Sequence, residues 1–441
     1  MIGWDSERVA AAAGASLGRG GEGGPRRAVV DSREAGPGDL FVGLAGTRAR
    51  GGSFAAAALA AGAWGVLVDG DHAEQDPGPG AVLVAADPLE ALGSLARAWR
   101  RELGARVVAI TGSTGKTSTK DILAALLGQH LVTAASPGNR NTEIGLPLSI
   151  LEAPAGTEAL VLELAMRGPG QIALLTEICE PEVGVIVNVG PAHLELLGSV
   201  EAVAAAKAEL MAGMAAGATA VIPAGEPRLE PHVRADQEVV RFGPGGDVRL
   251  VGIGPAGVEI EAGGERLNIE PGFRAQHLLV NLLAAVGAAR ALGVTPGGRL
   301  EVAFSEARGE RIELPGGVTV VDDCYNANPM SMRAALEELR QTAPGRRVAV
   351  LGDMLELGID EPRFHRELGA QAAAAGVELL VTVGPRAALA AEEFTALHRH
   401  VGDAGEAARV VPGLLRHGDT VLIKASRGVG LEVVADALAS G

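Results

Sequence analysis

The chain has 441 residues, 47% hydrophobic and 2% aromatic, with 63 glycines, 24 prolines and a net charge of −16. That length exceeds what one hydrophobic core sustains, so two or three domains are expected. The acidic balance leaves no basic footprint for non-specific nucleic-acid binding, so no nucleic-acid partner is expected and any anionic ligand must be met by local Lys, Arg or metal.

Gly and Pro together fall below the level of a disordered chain. Cys179 and Cys324 offer no disulfide framework and no zinc cluster. The longest nearly apolar run, Phe54 to Val68, is shorter than the roughly 18 residues a spanning helix needs. It reads instead as a helix (54–61) feeding a strand (64–68). Asp5, Glu7 and Arg8 precede any apolar run, which does not fit a signal peptide. A cytoplasmic protein without membrane insertion is the expectation, and a monomer.

Residues 1 to about 104 show short strands ("AVVDSR", "LFVGL", "WGVLV") and few long helices. "GRGGEGG" carries G-x-G-x-x-G at Gly18, Gly20 and Gly23, but no hydrophobic strand leads in and no helix follows. A flexible turn is the reading there.

From Arg106 the pattern alternates between apolar runs and helices. "RVVAIT" leads to a helix over 115–128, "EALVLELA" to one over 170–178, and "EVGVIVNV" to one over 199–213. That is the grammar of a mostly parallel sheet. A Gly-rich, weakly patterned stretch follows (223–272), then an Ala/Leu helix near 277–291. After "ELPGG" the rhythm restarts with "VTVVDD", "RVAVLG", "ELLVTVG" and "TVLIKAS". Boundaries are placed near 104 and 310.

The chemistry starts at "TGSTGKTS". An apolar strand (Val107 to Ile110) runs into Gly112, Ser113, Thr114, Gly115, Lys116, Thr117 and Ser118, then a helix. This is the layout of a phosphate-binding loop, in which backbone N–H groups cradle phosphate, lysine neutralises it and threonine reaches magnesium. Lys116 is expected on a solvent-facing loop. The usual pattern is G-x-x-x-x-G-K-[ST], and Ile110 occupies the place of its first glycine.

Ligands of an open parallel sheet bind beyond the carboxyl ends of its strands. Glu163 ends one strand, and Asn188 and His193 follow another. Together with Lys116 and Thr117 they point to a magnesium–nucleotide site. A guanine-specifying N-K-x-D is absent. Lys207, mid-helix in "SVEAVAAAKAELM", reads by itself as a solvated face. "VVDDCYNANPMSM" packs Asp322, Asp323, Asn326 and Asn328 at another strand end. It is either a capped strand-to-helix connection or part of a site, and "VLGDMLELG" repeats the arrangement one strand on.

These motifs, with "NRNTEIGLPLSIL", "NVGPAHLELLGSVEAVAAAKAEL" and "IKASRG", resemble the Mur ligases of bacterial cell-wall synthesis over nearly the whole chain. The pair "DDCYNANP" and "GDMLELG" resembles the branch that adds a dipeptide. T-G-x-x-G-K-T is that family's own loop, without the first glycine. The resemblance implies an α/β fold of three domains. These are 1–104 for a UDP-sugar, 105–310 as a P-loop ATPase with a mostly parallel sheet, and 311–441 as a Rossmann-like ligase domain.

It further implies ATP and two Mg²⁺ ions as cofactors, with UDP-N-acetylmuramoyl-tripeptide and D-alanyl-D-alanine as substrates joined through an acyl phosphate. By the same resemblance Lys116, Thr117 and Glu163 hold the phosphates and a first Mg²⁺. His193 binds a second, with Lys207 as a carbamylated lysine. Asn281 reaches adenine, Arg308 the γ-phosphate and Asp323 the ribose. Ser32, Arg33, Asn139, Asn141, Thr142, Asn326 and Asn328 face the substrates. The chain departs from the family at Leu278, where an Asn is usual, and at Ala307, where a Gly precedes the arginine. A diamino-acid-adding Mur ligase, a folylpolyglutamate-type ligase and a non-ligating nucleotide switch stay open as alternatives.

Overall fold

The computed structural model describes the chain apart from residues 2, 47, 48, 75, 76 and 441. Its strands form three sheets of five, ten and six strands. In the first, four parallel strands (Ala81–Val84, Gly65–Val68, Asp39–Val42, Arg27–Val29) are flanked by the antiparallel Ser16–Arg19. Gly18 therefore lies inside an edge strand rather than in a turn, while no helix follows it.

The N-terminal region also holds a long helix, Pro88–Leu103, that the pattern reading passed over. Its cues are Asp87, whose carboxylate accepts from the Leu89 and Glu90 N–H groups, Pro88 in the first turn, and Gly104 ending it at φ +62°. Leu92, Leu95, Ala96 and Trp99 form its buried face, which packs on the Gly145–Glu152 and Gln171–Cys179 helices. The first sheet is thereby fastened to the second.

The central sheet runs, in spatial order, Thr133–Ala135, Ala159–Glu163, Arg106–Thr111, Val183–Ile186, Thr219–Pro223 and Glu238–Phe242, all parallel. Strands 159–163 and 183–186 are buried throughout, as expected of strands covered on both faces. The Lys116–Gly128 and Gln276–Ala291 helices pack together on one face. Gln171–Cys179 and Val200–Gly213 cover the other.

The stretch read as weakly patterned, 223–272, holds the last of those strands and adds three more, Val248–Gly254, Gly257–Ala262 and Glu265–Pro271, with Gly298–Leu300 as the tenth. Val258, Ile260 and Ala262 alternate inward against Leu267 and Ile269 across a Gly263–Gly264 turn with φ +61° and +81°. "VEIEAGGERLNIE" is thus a hairpin whose alternation is legible once the two-glycine turn is noticed.

The third sheet orders Glu310–Glu313, Thr319–Asp322, Thr420–Lys424, Arg347–Gly352, Leu379–Val383 and Leu397–Val401, parallel except for the first pair. Its two edge strands are the ones the apolar-run reading missed, because edge strands need no buried faces: Leu397 to His400 are all exposed. Among the described residues no helix is long and apolar enough to cross a membrane.

Candidate active site

The phosphate loop leaves the Arg106–Thr111 strand, buried from Val107 onward, and enters the helix at Lys116. Ile110, in the place of the usual first glycine, is a core residue with no exposure. The two glycines that remain are required by space. A Cβ on Gly112 would stand 3.0 Å from the Val187 Cβ; on Gly115, at φ +76°, it would stand 2.7 Å from the Asn281 Oδ1. Asn281 therefore borders the loop itself.

Asn188 holds the turn, its Oδ1 accepting from the Thr114 N–H and its Nδ2 donating to the Thr114 carbonyl, both at 3.0 Å. The Ser113 hydroxyl is engaged with Gly190. Among the described residues the N–H groups of Lys116, Thr117 and Ser118 have no backbone partner, the open start of a helix that suits an anion.

Thr117 is a hub. Its hydroxyl donates to the Glu163 Oε2 at 2.8 Å and accepts from the Arg308 Nη2 at 3.0 Å. The other carboxylate oxygen of Glu163 accepts from the Asn141 Nδ2 at 2.7 Å. The Asn141 amide, placed by resemblance on the substrate side, thus orients Glu163. Thr142 receives the Gly145 N–H at 3.4 Å, while Asn139 lines a cleft of about 640 Å³ with Thr117, Arg308, Tyr325 and Arg427. The Arg308 guanidinium lies 3.8 Å above the Tyr325 ring, and its buried Nε has no partner among the described residues.

Two ammonium groups stand near this loop with no ion pair among the described residues. Lys116 is half-buried, with its Nζ 3.0 Å from the Gly112 carbonyl, so its loop is not solvent-facing as expected. Burial lowers its pKa against the opposing pull of Glu163. Lys207 is 2% exposed, not the solvated residue its isolated helix position suggested. No hydrogen bond or ion pair to it occurs among the described residues. Burial, and next the charge of Lys116, push its pKa well below the usual lysine range. Enclosed cations that repel each other call for an anion, and the Thr117–Glu163 pair supplies hard oxygen ligands beside it. Mg²⁺ takes one or two carboxylates plus phosphate oxygens and water, so the set fits a magnesium nucleotide.

The third sheet closes on the loop. Asn328 caps the Pro329–Thr342 helix through its Oδ1 and donates from its Nδ2 to the Ser113 carbonyl at 3.0 Å. Its side chain, expected to face substrate, is a cap and a clasp. Asn326 is exposed, with its Oδ1 turned onto the Ala327 N–H. Asp323 is paired with Lys424 at 2.6 Å. Gly190 has no room for a side chain, since a Cβ there would overlap the Met330 sulfur at 1.9 Å. The His193 Nδ1 lies 2.6 Å from the Glu356 Oε2. Burial lowers the His193 pKa, opposed by Glu356.

Ser32 and Arg33 lie apart from this cluster, after the Arg27–Val29 strand, where Arg33 is ion-paired with Asp31. Leu278 is half-buried. Ala307 has φ +52°, a conformation that favours glycine. Tyr325 and Glu356 sat inside quoted motifs with no role assigned to them; only the fold brings them to the loop.

The Mur ligase middle domain model matches residues 110–289, and the Mur ligase glutamate ligase domain model matches 307–427. The UDP-N-acetylmuramoyl-tripeptide–D-alanyl-D-alanine ligase of Bacillus subtilis is 34% identical over 93% of this chain and 93% of its own. The chain belongs to this family of Mur ligases. Among solved structures, MurF from Acinetobacter baumannii superposes with a TM-score of 0.87 at 29% identity, covering 99% of both chains. MurF ligase from Thermotoga maritima in complex with ADP gives a TM-score of 0.81 at 33% identity, covering 94% of this chain and 97% of that one.

Proposed function

We infer that this chain is an ATP-dependent amide ligase joining D-alanyl-D-alanine to UDP-N-acetylmuramoyl-tripeptide, the reaction its relatives are named for. The observation that carries the chemistry is the pair of ammoniums, half-buried Lys116 held on the Gly112 carbonyl and buried Lys207 with no partner among the described residues, beside the open helix start and the Arg308–Thr117–Glu163 chain.

A carboxylate is a poor electrophile, so making an amide requires activating it. The tripeptide carboxylate attacks the γ-phosphorus of ATP; a C–O–P linkage forms and ADP leaves. The amine of D-alanyl-D-alanine then attacks the acyl carbon, and phosphate departs with the C–O electron pair. Lys116 and Arg308 stabilise the charge spread over the moving phosphoryl group. Bound Mg²⁺ supplies Lewis-acid stabilisation of the same oxygens. Thr117 and Glu163 would hold a first ion, with Asn141 fixing the carboxylate. His193 and a carbamylated Lys207 would hold a second.

Lys207 is suited to carbamylation because a neutral amine is what reacts with carbon dioxide. Asn281 meets the nucleotide at the rim of the loop and Asp323 its ribose, both as proposals. Residues 1–104, with Ser32 and Arg33, take the UDP-sugar; 105–310 take ATP; 311–441 present the amine. The cytoplasm is the proposed compartment, since both ATP and the nucleotide-linked precursor belong there.

The test is ADP release with UDP-linked tripeptide, with and without D-alanyl-D-alanine. Strict dependence on the amine supports a ligase. Equal ADP release without it would make the protein a nucleotide hydrolase or switch.

A further inference from the structure

We propose that Glu356 is a positioning residue: it fixes the His193 ring so that Nε2 presents a lone pair to the metal, and it does so from the other side of the domain junction. This rests on the magnesium–nucleotide reading above.

His193 follows the Val183–Ile186 strand of the central sheet, whereas Glu356 follows the Arg347–Gly352 strand of the third. A carboxylate can only accept, so at 2.6 Å the His193 Nδ1 carries the proton. In a neutral imidazole that leaves Nε2 bare. Among the described residues no hydrogen bond reaches Nε2. A metal-ligating histidine ordinarily gives its second nitrogen to such a carboxylate, which sets the ring's orientation and raises its basicity.

The contact is a built one. His193 (φ +56°) and Glu356 (φ +63°) are two of only four non-glycine residues with positive φ among those described. Left-handed backbone at two facing residues costs energy that the packing around them must offset. That packing is visible: the Glu195 N–H donates to the Glu356 carbonyl at 3.1 Å, Leu194 and Leu357 are buried on either side, and Gly358 is pressed against the Glu195 backbone. The second-metal ligand is therefore oriented only when the third sheet is docked. Opening the junction removes the carboxylate and leaves the ring free to take either tautomer. Metal capture and domain closure are coupled through one hydrogen bond.

The experiment measures Mn²⁺ affinity of the full chain by electron paramagnetic resonance, with β,γ-imido-ATP saturating, in wild type, Glu356→Ala, Glu356→Gln, His193→Ala and the Glu356→Ala/His193→Ala pair. Affinity for the analogue without metal serves as a folding check. The expectation is a loss of about 10- to 100-fold in one of two Mn²⁺ affinities, the same one for Glu356→Ala and His193→Ala. The pair should lose no more than either single change, and Glu356→Gln should recover part. Unchanged Mn²⁺ binding in Glu356→Ala beside a loss in His193→Ala overturns the role of Glu356 and leaves the metal site standing. Additive losses in the pair also overturn it. Unchanged binding in His193→Ala overturns both the role and the site.

Discussion

Arg308 reaches across from the junction of the central and third sheets to donate to the Thr117 hydroxyl at 3.0 Å. It is delivered there by Ala307, whose backbone is left-handed at φ +52°. An L-residue in that region costs roughly 1–2 kcal/mol, most of which glycine avoids. Ala307→Gly should therefore leave unfolding free energy within about 1 kcal/mol of wild type, while Ala307→Val should lose more than that. Denaturant titration of the three proteins decides it. A Val variant as stable as wild type would show that the observed φ is not enforced.

On the solvent-facing loop that the motif implies, loss of Lys116 costs little stability. Lys116 is instead half-buried, its Nζ donating to the Gly112 carbonyl at 3.0 Å, and burial lowers its pKa against the pull of Glu163. Replacing it with Met should leave the nucleotide-free protein as stable as wild type or more so. Turnover should drop by about 10²–10³-fold, as for loss of one electrostatic stabiliser of a transition state. A folded Lys116→Met protein with near-normal turnover would contradict its place in phosphoryl transfer.

For Lys207 the expectation is a carbamate. Lys207→Ala should be nearly inactive, and acetate or formate should restore part of the activity by supplying carboxylate oxygens. A crystal structure of the nucleotide-bound enzyme should show density beyond Nζ. Bare lysine density together with an active Lys207→Ala would exclude the modification.

Asn141 donates to Glu163, so its removal should act through the metal. Asn141→Ala is expected to raise the Mg²⁺ concentration needed for half-maximal turnover by about 10–100-fold, with the maximal rate recovered at high Mg²⁺. A loss of rate that added Mg²⁺ does not relieve would place Asn141 elsewhere in the mechanism.

The parts of the fold that sequence displayed were those with fully buried strands. "RVVAI", "ALVLE" and "VGVIV" are apolar because both faces are covered, so they announce themselves. The Gly257–Ala262 and Glu265–Pro271 hairpin buries one face only, and its alternating glutamates and arginines looked like loop. The site divided in the same way. Lys116, Thr117 and Glu163 lie on strand ends and loops of one sheet, where topology alone brings them together. Glu356 and Tyr325 arrive from the third sheet, and no spacing in the chain encodes how that sheet docks. Asn141 and Asn328 were recognised as polar residues in the right segments. Their partners, Glu163 and Ser113, are more than 20 and 200 residues away in sequence, and those partners decide what each amide does.

The central claim is that the third sheet presents a dipeptide amine to an activated tripeptide. The direct measurement is product formation by mass spectrometry, with ATP, Mg²⁺ and UDP-linked tripeptide, offering D-alanyl-D-alanine, meso-diaminopimelate, L-lysine and D-glutamate side by side. D-alanyl-D-alanine should be coupled with one ADP released per amide formed, and the single amino acids should give little or no product. Faster coupling of a single diamino acid would contradict the account and move the chain's activity to a neighbouring Mur ligase reaction.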